Sequence, residues 1–151
     1  AGTSSPLTDG ASAVLVTTED FADKNGLEPL ARIRSFAVSG CQPEIMGIGP
    51  GGSSKKALER AGITTADLDV IELNEAFASQ SLASIRDLGL DVTKINIDGG
   101  ALALGHPLGA TGARITGKAA QILKRQSGRY ALSTQCIGGG QGIATVLESI
   151  S

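Results

Sequence analysis

The sequence has no tryptophan, one tyrosine, three phenylalanines, one methionine and a single histidine among its 151 residues. A core built from it is filled by aliphatic and small side chains rather than by rings. No apolar run approaches the roughly 20 residues needed to cross a bilayer, so no membrane contact is expected. Residues 1–6, Ala-Gly-Thr-Ser-Ser-Pro, carry neither the basic start nor the apolar block of a secretory leader. Thirteen Lys and Arg against fifteen Asp and Glu give a formal charge of −2 without any basic block, which argues against a nucleic-acid partner. The only cysteines, Cys41 and Cys136, lie far apart. The expected setting is intracellular, the cytoplasm first and an organelle matrix as the alternative, where both are free thiols. One histidine and two distant cysteines make a poor ligand set, so no metal is expected.

Glycine is abundant instead, 21 residues, about twice the usual ~7%. The glycines cluster at 47–52, 99–117 and 138–142, between segments with regular patterning. Small residues let backbones approach one another or a ligand closely. Apolar residues make up 41% and charged residues 19%, which suits one globular domain spanning residues 1–151 with no linker or repeat.

The patterning predicts a buried strand at 11–16 and a short helix at 19–25, capped by Thr18 and stopped by Gly26. A strand at 30–38 follows, then a long loop at 40–52 and a helix at 53–61 that buries Ala57, Leu58 and Ala61. A strand at 69–73 precedes a helix at 76–88, whose inner face is expected to carry Ala78, Leu82 and Ile85. Residues 95–97 read as a brief extended piece. A helix at 111–125 has a polar stripe of Arg114, Lys118, Gln121 and Arg125 and an inner stripe of Ala113, Thr116, Ala120 and Leu123. Strands at 130–135 and 142–148 flank a turn at 136–140 and should pair antiparallel. Helices alternating with strands indicate a layered α/β or α+β domain.

Three polar residues stand where regular elements end. His106 lies in a bend ahead of the 111–125 helix, whose positive end disfavours imidazolium and leaves a base that exchanges protons near pH 7. Asn74 follows the 69–73 strand, and Cys136 follows the 130–135 strand at the lip of a glycine turn. If these ends meet, a thiol, a proton carrier and hydrogen-bond donors share one pocket, a set suited to chemistry at a carbonyl. Each residue also has a plainer role: turn closure for His106, helix capping for Asn74, an inert buried thiol for Cys136. Cys41, with no base near it in sequence, reads as structural. Gly47-Ile48-Gly49-Pro50-Gly51-Gly52 matches a dinucleotide fingerprint only formally, because no strand feeds it and Pro50 stiffens the turn; a helix lead-in is the better reading.

Asn74-Glu75-Ala76-Phe77, residues 99–114 (Gly-Gly-Ala-Leu-Ala-Leu-Gly-His-Pro-Leu-Gly-Ala-Thr-Gly-Ala-Arg) and Cys136-Ile137-Gly138-Gly139-Gly140 together resemble the motifs of the thiolases. Asp9-Gly10-Ala11-Ser12-Ala13 and Met46-Gly47-Ile48-Gly49-Pro50 fit the same family in the same order. The resemblance covers essentially the whole chain and implies half of a layered α/β fold: a mixed sheet with helices on both faces. It implies that His106 activates a nucleophilic cysteine and that Cys136 is the acid and base at the α-carbon. It further implies that Asn74 holds a water at the enolate oxyanion site, and that the Gly138 N–H serves a second oxyanion site. Ser5, Ala76 and Phe77 then line the pantetheine tunnel.

The family's acylated cysteine belongs to an N-terminal half, and nothing here matches its motif. The chain therefore resembles the C-terminal half, with the other half expected as a partner from the same or a separate chain. By itself the chain is expected to lack the covalent step and to expose an apolar face. The implied activity is CoA-dependent cleavage of 3-ketoacyl-CoA in fatty acid β-oxidation. Biosynthetic acetyl-CoA acetyltransferase and a non-catalytic CoA- or lipid-binding module are the alternatives. Coenzyme A and acyl-CoA enter as substrates, no cofactor is held tightly, and the complete enzyme is expected to be a homodimer or tetramer.

Overall fold

The computed structural model describes residues 1–150. It contains, in order, α1 (Glu19–Lys24), β1 (Arg32–Gly40), α2 (Gly49–Ala61), β2 (Val70–Leu73), α3 (Ala78–Leu88), α4 (Ala101–Leu104), α5 (Thr111–Arg125), β3 (Tyr130–Ile137) and β4 (Gln141–Glu148). The strands form one mixed sheet in the order β1-β4-β3-β2. β1 and β4 are antiparallel, as are β4 and β3, whereas β2 runs parallel to β3 with Val70 opposite Ala131 and Leu73 opposite Thr134. Gly139 and Gly140, at φ of 81° and 82°, close the β3–β4 hairpin in a backbone region costly for other residues.

Helices cover both faces of the sheet. Against one face, Ala57, Leu58 and Ala61 of α2 pack on Ala37, Ile71, Leu73, Leu132, Ala144 and Val146. Against the other, Ala119, Ala120, Ile122 and Leu123 of α5 pack on Val70, Ala131 and Leu147. The scarcity of aromatic side chains is matched by alanines at these contacts and by close backbone packing. The first turn of α2 lies directly on β4: a Cβ added at Gly142 would stand 2.1 Å from the Gly49 carbonyl oxygen. This contact explains why 49–52 is not the loop expected from sequence. Pro50 sits in the first turn, where its missing N–H is not needed, and Gly49 and Gly51 are buried. The glycine run thus begins a helix packed on the sheet.

Several expectations are corrected. Residues 11–16 form no strand and are exposed, because an extended segment becomes a strand only where another edge takes up its N–H and C=O groups. The buried face of α3 carries Gln80, Ser81, Ser84 and Leu88, whereas Leu82 is 51% exposed. The buried stripe of α5 runs through Thr111, Ile115, Ala119, Ala120, Ile122 and Leu123: Ala120 and Leu123 are buried as expected, whereas Ala113 and Thr116 are only half-buried. Cys136 belongs to β3 rather than to the turn after it. The α1 helix, with the Thr18 hydroxyl accepting from Phe21 N, and the antiparallel β3–β4 pair agree with expectation.

On the α5 side the sheet is covered over β2, β3 and Leu147 of β4, and is left open at β1. Opposite Leu147, Thr145 and Ile143 of β4, the side chains of Ile33, Phe36 and Val38 on β1 point to the same side and are exposed, Phe36 by 62%. Leu15 and Val16 are exposed as well. Among the described residues no helix is long and apolar enough to cross a membrane.

The Gly49–Gly142 contact makes a direct prediction. Gly142→Ala should lower stability by about 3 kcal/mol, since neither backbone can yield to the added methyl group. Gly138→Ala, which meets open space, should change stability by well under about 1 kcal/mol. Denaturant midpoints of the two variants measure the difference.

Candidate active site

The site is built where β2 ends. Asn96 prolongs the ladder beyond the strand: its Oδ1 accepts from Leu73 N at 2.9 Å and its Nδ2 donates to Leu73 O at 2.8 Å. The next two residues diverge. Glu75 reaches toward the glycine-rich segment, where Oε1 accepts from Asn96 Nδ2 at 3.1 Å and Oε2 from the Leu102 N–H at 3.0 Å. That N–H lies in the first turn of α4, whose free amides favour a carboxylate. Gly100 permits the approach, since a Cβ there would stand 2.3 Å from the Glu75 carboxyl. Asp98, paired with Lys118 and Arg125 of α5, ties down the start of the same segment.

This clamp delivers His106 to Asn74. The His106 Nδ1 lies 2.7 Å from Thr111 Oγ1. The Thr111 hydroxyl spends its one proton on the Pro107 carbonyl at 3.0 Å, so it accepts from Nδ1–H. Neutral His106 therefore carries its proton on Nδ1 and presents the Nε2 lone pair, to which Asn74 Nδ2 donates at 3.4 Å. Partial burial and the Arg114 cation both hold the imidazole below its usual proton affinity. The result is a neutral base with a fixed tautomer.

Asn74 is not a helix cap, since α3 begins four residues later at Ala78. Its backbone N–H donates to Thr134 O at 3.0 Å, its side chain is buried, and its Oδ1 has no partner among the described residues. Cys136 is half-buried at the same edge of the sheet. Two residues earlier on β3, the Thr134 hydroxyl accepts from Ser54 of α2, so strand alternation puts Cys136 on the α2 side. Burial pushes its thiol up, with the Cys41 thiol adding to the effect. Asn74 and His106 thus meet directly. Cys136 shares their edge of the sheet without a hydrogen bond to either among the described residues.

Gly138 is exposed at the tip of the hairpin, with open space beside its Cα. Ser5, Ala76 and Phe77 do come together: Ser5 N donates to Ala76 O at 3.1 Å, Ser4 bridges Phe77, and Ala78 N donates to Thr3 O at 2.8 Å. The chain then runs along the histidine loop. Thr8 Oγ1 accepts from His106 N at 3.3 Å, Gly10 lies against Pro107, and Ser12 donates to Ala110 O at 2.8 Å. Thr8, Glu75 and Thr111 are the participants that sequence reasoning missed. Glu75 was signalled by its place beside Asn74, and Thr111 by being the hydroxyl residue that opens the helix after His106.

Known proteins resemble this chain in sequence and fold. The family model described as "Thiolase, C-terminal domain" matches residues 27–149. A 3-ketoacyl-CoA thiolase of Salmonella typhimurium is 56% identical over 99% of this chain and 40% of its own length. The human mitochondrial 3-ketoacyl-CoA thiolase is 52% identical over 99% of this chain and 38% of its own. A crystal structure of that human protein in complex with CoA superposes with a TM-score of 0.86 at 52% identity, covering 88% of this chain and 34% of that one. The chain thus spans about 40% of the length of these relatives.

The histidine geometry can be tested in two ways. His106 is the sole histidine, so its NMR titration is unambiguous and should have a midpoint below the ordinary 6.5. Because the folded state resists a proton that the unfolded chain takes up, stability should fall as pH drops below about 6.5. Thr111→Val, which strands the Nδ1–H while Pro107 O keeps the backbone N–H groups of Ala110 and Thr111, should cost about 1–3 kcal/mol. It should also mix the imidazole tautomers, read from the ring nitrogen shifts.

Proposed function

From the premise that this chain belongs to the thiolase family, as its C-terminal domain, we propose that it forms the proton-handling half of a 3-ketoacyl-CoA thiolase. The substrates on this reading are a 3-ketoacyl-CoA and free CoA, and the products are acetyl-CoA and an acyl-CoA two carbons shorter, as in β-oxidation. An N-terminal half, in the same or a separate chain, provides the cysteine that becomes acylated. CoA takes part as substrate, in keeping with the CoA complex of the human relative.

The observation that carries the reading is the Thr111–His106–Asn74 line, which leaves a neutral imidazole with an unprotonated Nε2 beside a carboxamide. In the thiolysis direction His106 Nε2 takes the proton of the nucleophilic cysteine as its sulfur attacks the 3-keto carbon. The backbone N–H of Gly138 stabilises the tetrahedral oxyanion. Collapse of that adduct breaks the C2–C3 bond and leaves an acyl-cysteine and the enolate of acetyl-CoA. The enolate oxygen receives hydrogen bonds from His106, now protonated on Nε2, and from a water held by Asn74. The thiol of Cys136, kept protonated by burial, gives its proton to the enolate carbon. The resulting thiolate takes the proton of the incoming CoA thiol, whose sulfur attacks the acyl-cysteine carbonyl to form the new thioester, and the expelled cysteine thiolate takes its proton back from the His106 imidazolium. The contacts among residues 3–8, Ala76, Phe77 and His106 support a pantetheine path past Ser5, Ala76 and Phe77. The exposed Ile33, Phe36 and Val38 face supports a partner half.

The test is reconstitution. Mixed with an N-terminal thiolase half, the chain should cleave acetoacetyl-CoA, and no turnover from a well-folded assembly would remove the proposal. In that assembly Asn74→Ala should lower kcat about 10²–10³-fold, the range for one oxyanion donor. Cys136→Ser should abolish condensation while the other cysteine still becomes acylated; unchanged condensation would reject the role given to Cys136.

A further inference from the structure

Residues 5–18 belong to no helix or strand, yet every second side chain between Thr8 and Val14 follows one track. Thr8 lies against Gly105, where a Cβ would stand 2.5 Å from its Cγ2 and Oγ1. Gly10 lies against Pro107, whose Cγ would be 2.9 Å from an added Cβ. Ser12 Oγ donates to Ala110 O at 2.8 Å. Val14 reaches Gly117 of α5, with 3.2 Å between its Cγ1 and an added Cβ there. A period of two is that of an extended chain with one face turned to a neighbour. Here the neighbour is the histidine loop and the first turns of α5, and side chains make the contacts. The segment is a strap across the loop that carries His106.

At His106 the strap supplies the main-chain anchor. The α4 helix closes at Gly105, whose N–H donates to Ala101 O at 2.9 Å, and Pro107 has no N–H to give. His106 N donates to Thr8 Oγ1 at 3.3 Å. The Thr8 hydroxyl gives its own proton to Pro6 O at 2.8 Å, so its lone pairs face the His106 amide. Thr111 repeats this arrangement at the ring, donating to Pro107 O and accepting from Nδ1. Each threonine hydroxyl has its proton committed to a proline carbonyl and serves His106 as an acceptor. Gly105 makes room for Thr8: it is buried, and its φ of 101° disfavours any side chain.

We propose that Thr8 is a positioning residue for the proton-transfer chemistry: its hydroxyl fixes the main chain of His106 as Thr111 fixes the ring. Nε2 is then held 3.4 Å from Asn74 by two threonines, one from 98 positions earlier in the chain and one from the helix that follows. The inference rests on the reading of His106 as the proton carrier. A small displacement of a proton carrier lowers the rate of the chemical step more than it weakens substrate binding.

In the reconstituted enzyme, Thr8→Val keeps the shape of the side chain and removes the hydroxyl. It should lower kcat about 10-fold and leave KM within about twofold of the parent. Thr8→Ser, which keeps the hydroxyl, should recover most of the parent kcat. Labelling the one histidine gives a single amide signal in the full chain. Its hydrogen exchange should be slow in the parent and in Thr8→Ser and about tenfold faster in Thr8→Val. Parent kcat in Thr8→Val overturns the proposal, as do valine and serine variants impaired alike. If Thr8→Val does not fold, the parent amide decides: slow exchange supports the anchor, and exchange at the rate of an unfolded peptide overturns it. A His106→Asn enzyme with full turnover would instead remove the underlying reading. An inactive His106→Asn enzyme beside a Thr8→Val enzyme of parent kcat removes the role of Thr8 only.

Discussion

The site depends on how β2 terminates. The strand is held on one side by the parallel ladder to β3 and on the other by the side chain of Asn96, which bonds both the N–H and C=O of Leu73. With the backbone pinned on both sides, Asn74 and Glu75 project in fixed directions. The carboxamide meets the histidine, and the carboxylate holds the segment that carries it. A strand end buried between two partners is stiffer than a free loop, so the 3.4 Å approach of Asn74 to His106 is set by sheet geometry rather than by the loop's own preference.

The same economy recurs across the fold. With few aromatic side chains, the chain replaces side-chain volume with backbone proximity: α2 on β4 at Gly49 and Gly142, and the Glu75 carboxyl on Gly100. The Gly49–Gly142 contact is rigid because neither side has a rotamer to adjust, and the Glu75 carboxyl is held in place by its bonds to Asn96 and Leu102. The rigidity serves a site in which each group performs one task. Thr111 fixes the tautomer, Asn74 faces the lone pair, and Glu75 holds the loop.

Burial around the site is uneven, and the unevenness has a pattern. The side of α3 turned inward mixes Gln80, Ser81 and Ser84 with Ile85 and Leu88, while Leu82 and Phe77 are exposed. Half of one sheet face leaves Ile33, Phe36 and Val38 uncovered. In a self-contained domain these preferences would be reversed. In a chain that spans about 40% of the length of its relatives, the uncovered apolar surface accords with the proposed second half.

Local chemistry in the sequence determined much of this protein. The capped α1 helix, the ends of α2 at Gly62 and of α3 at Gly89, the β3–β4 hairpin and the span of α5 could all be read from residues close together in the chain, because caps, turns and periodicity act over a few positions. The motifs around Asn74, His106 and Cys136 named the family for the same reason. Tertiary structure alone decided the rest. Whether 11–16 becomes a strand depends on an edge that neighbouring residues cannot supply. Which side of α3 is buried depends on what packs there, and α2 begins at Gly49 because β4 comes within reach of its backbone. The histidine's tautomer, the clamp by Glu75 and the placing of Cys136 on the opposite pleat from Asn74 arise from contacts between residues distant in the chain. No local pattern encodes such contacts, since they exist only once the sheet has brought those segments together.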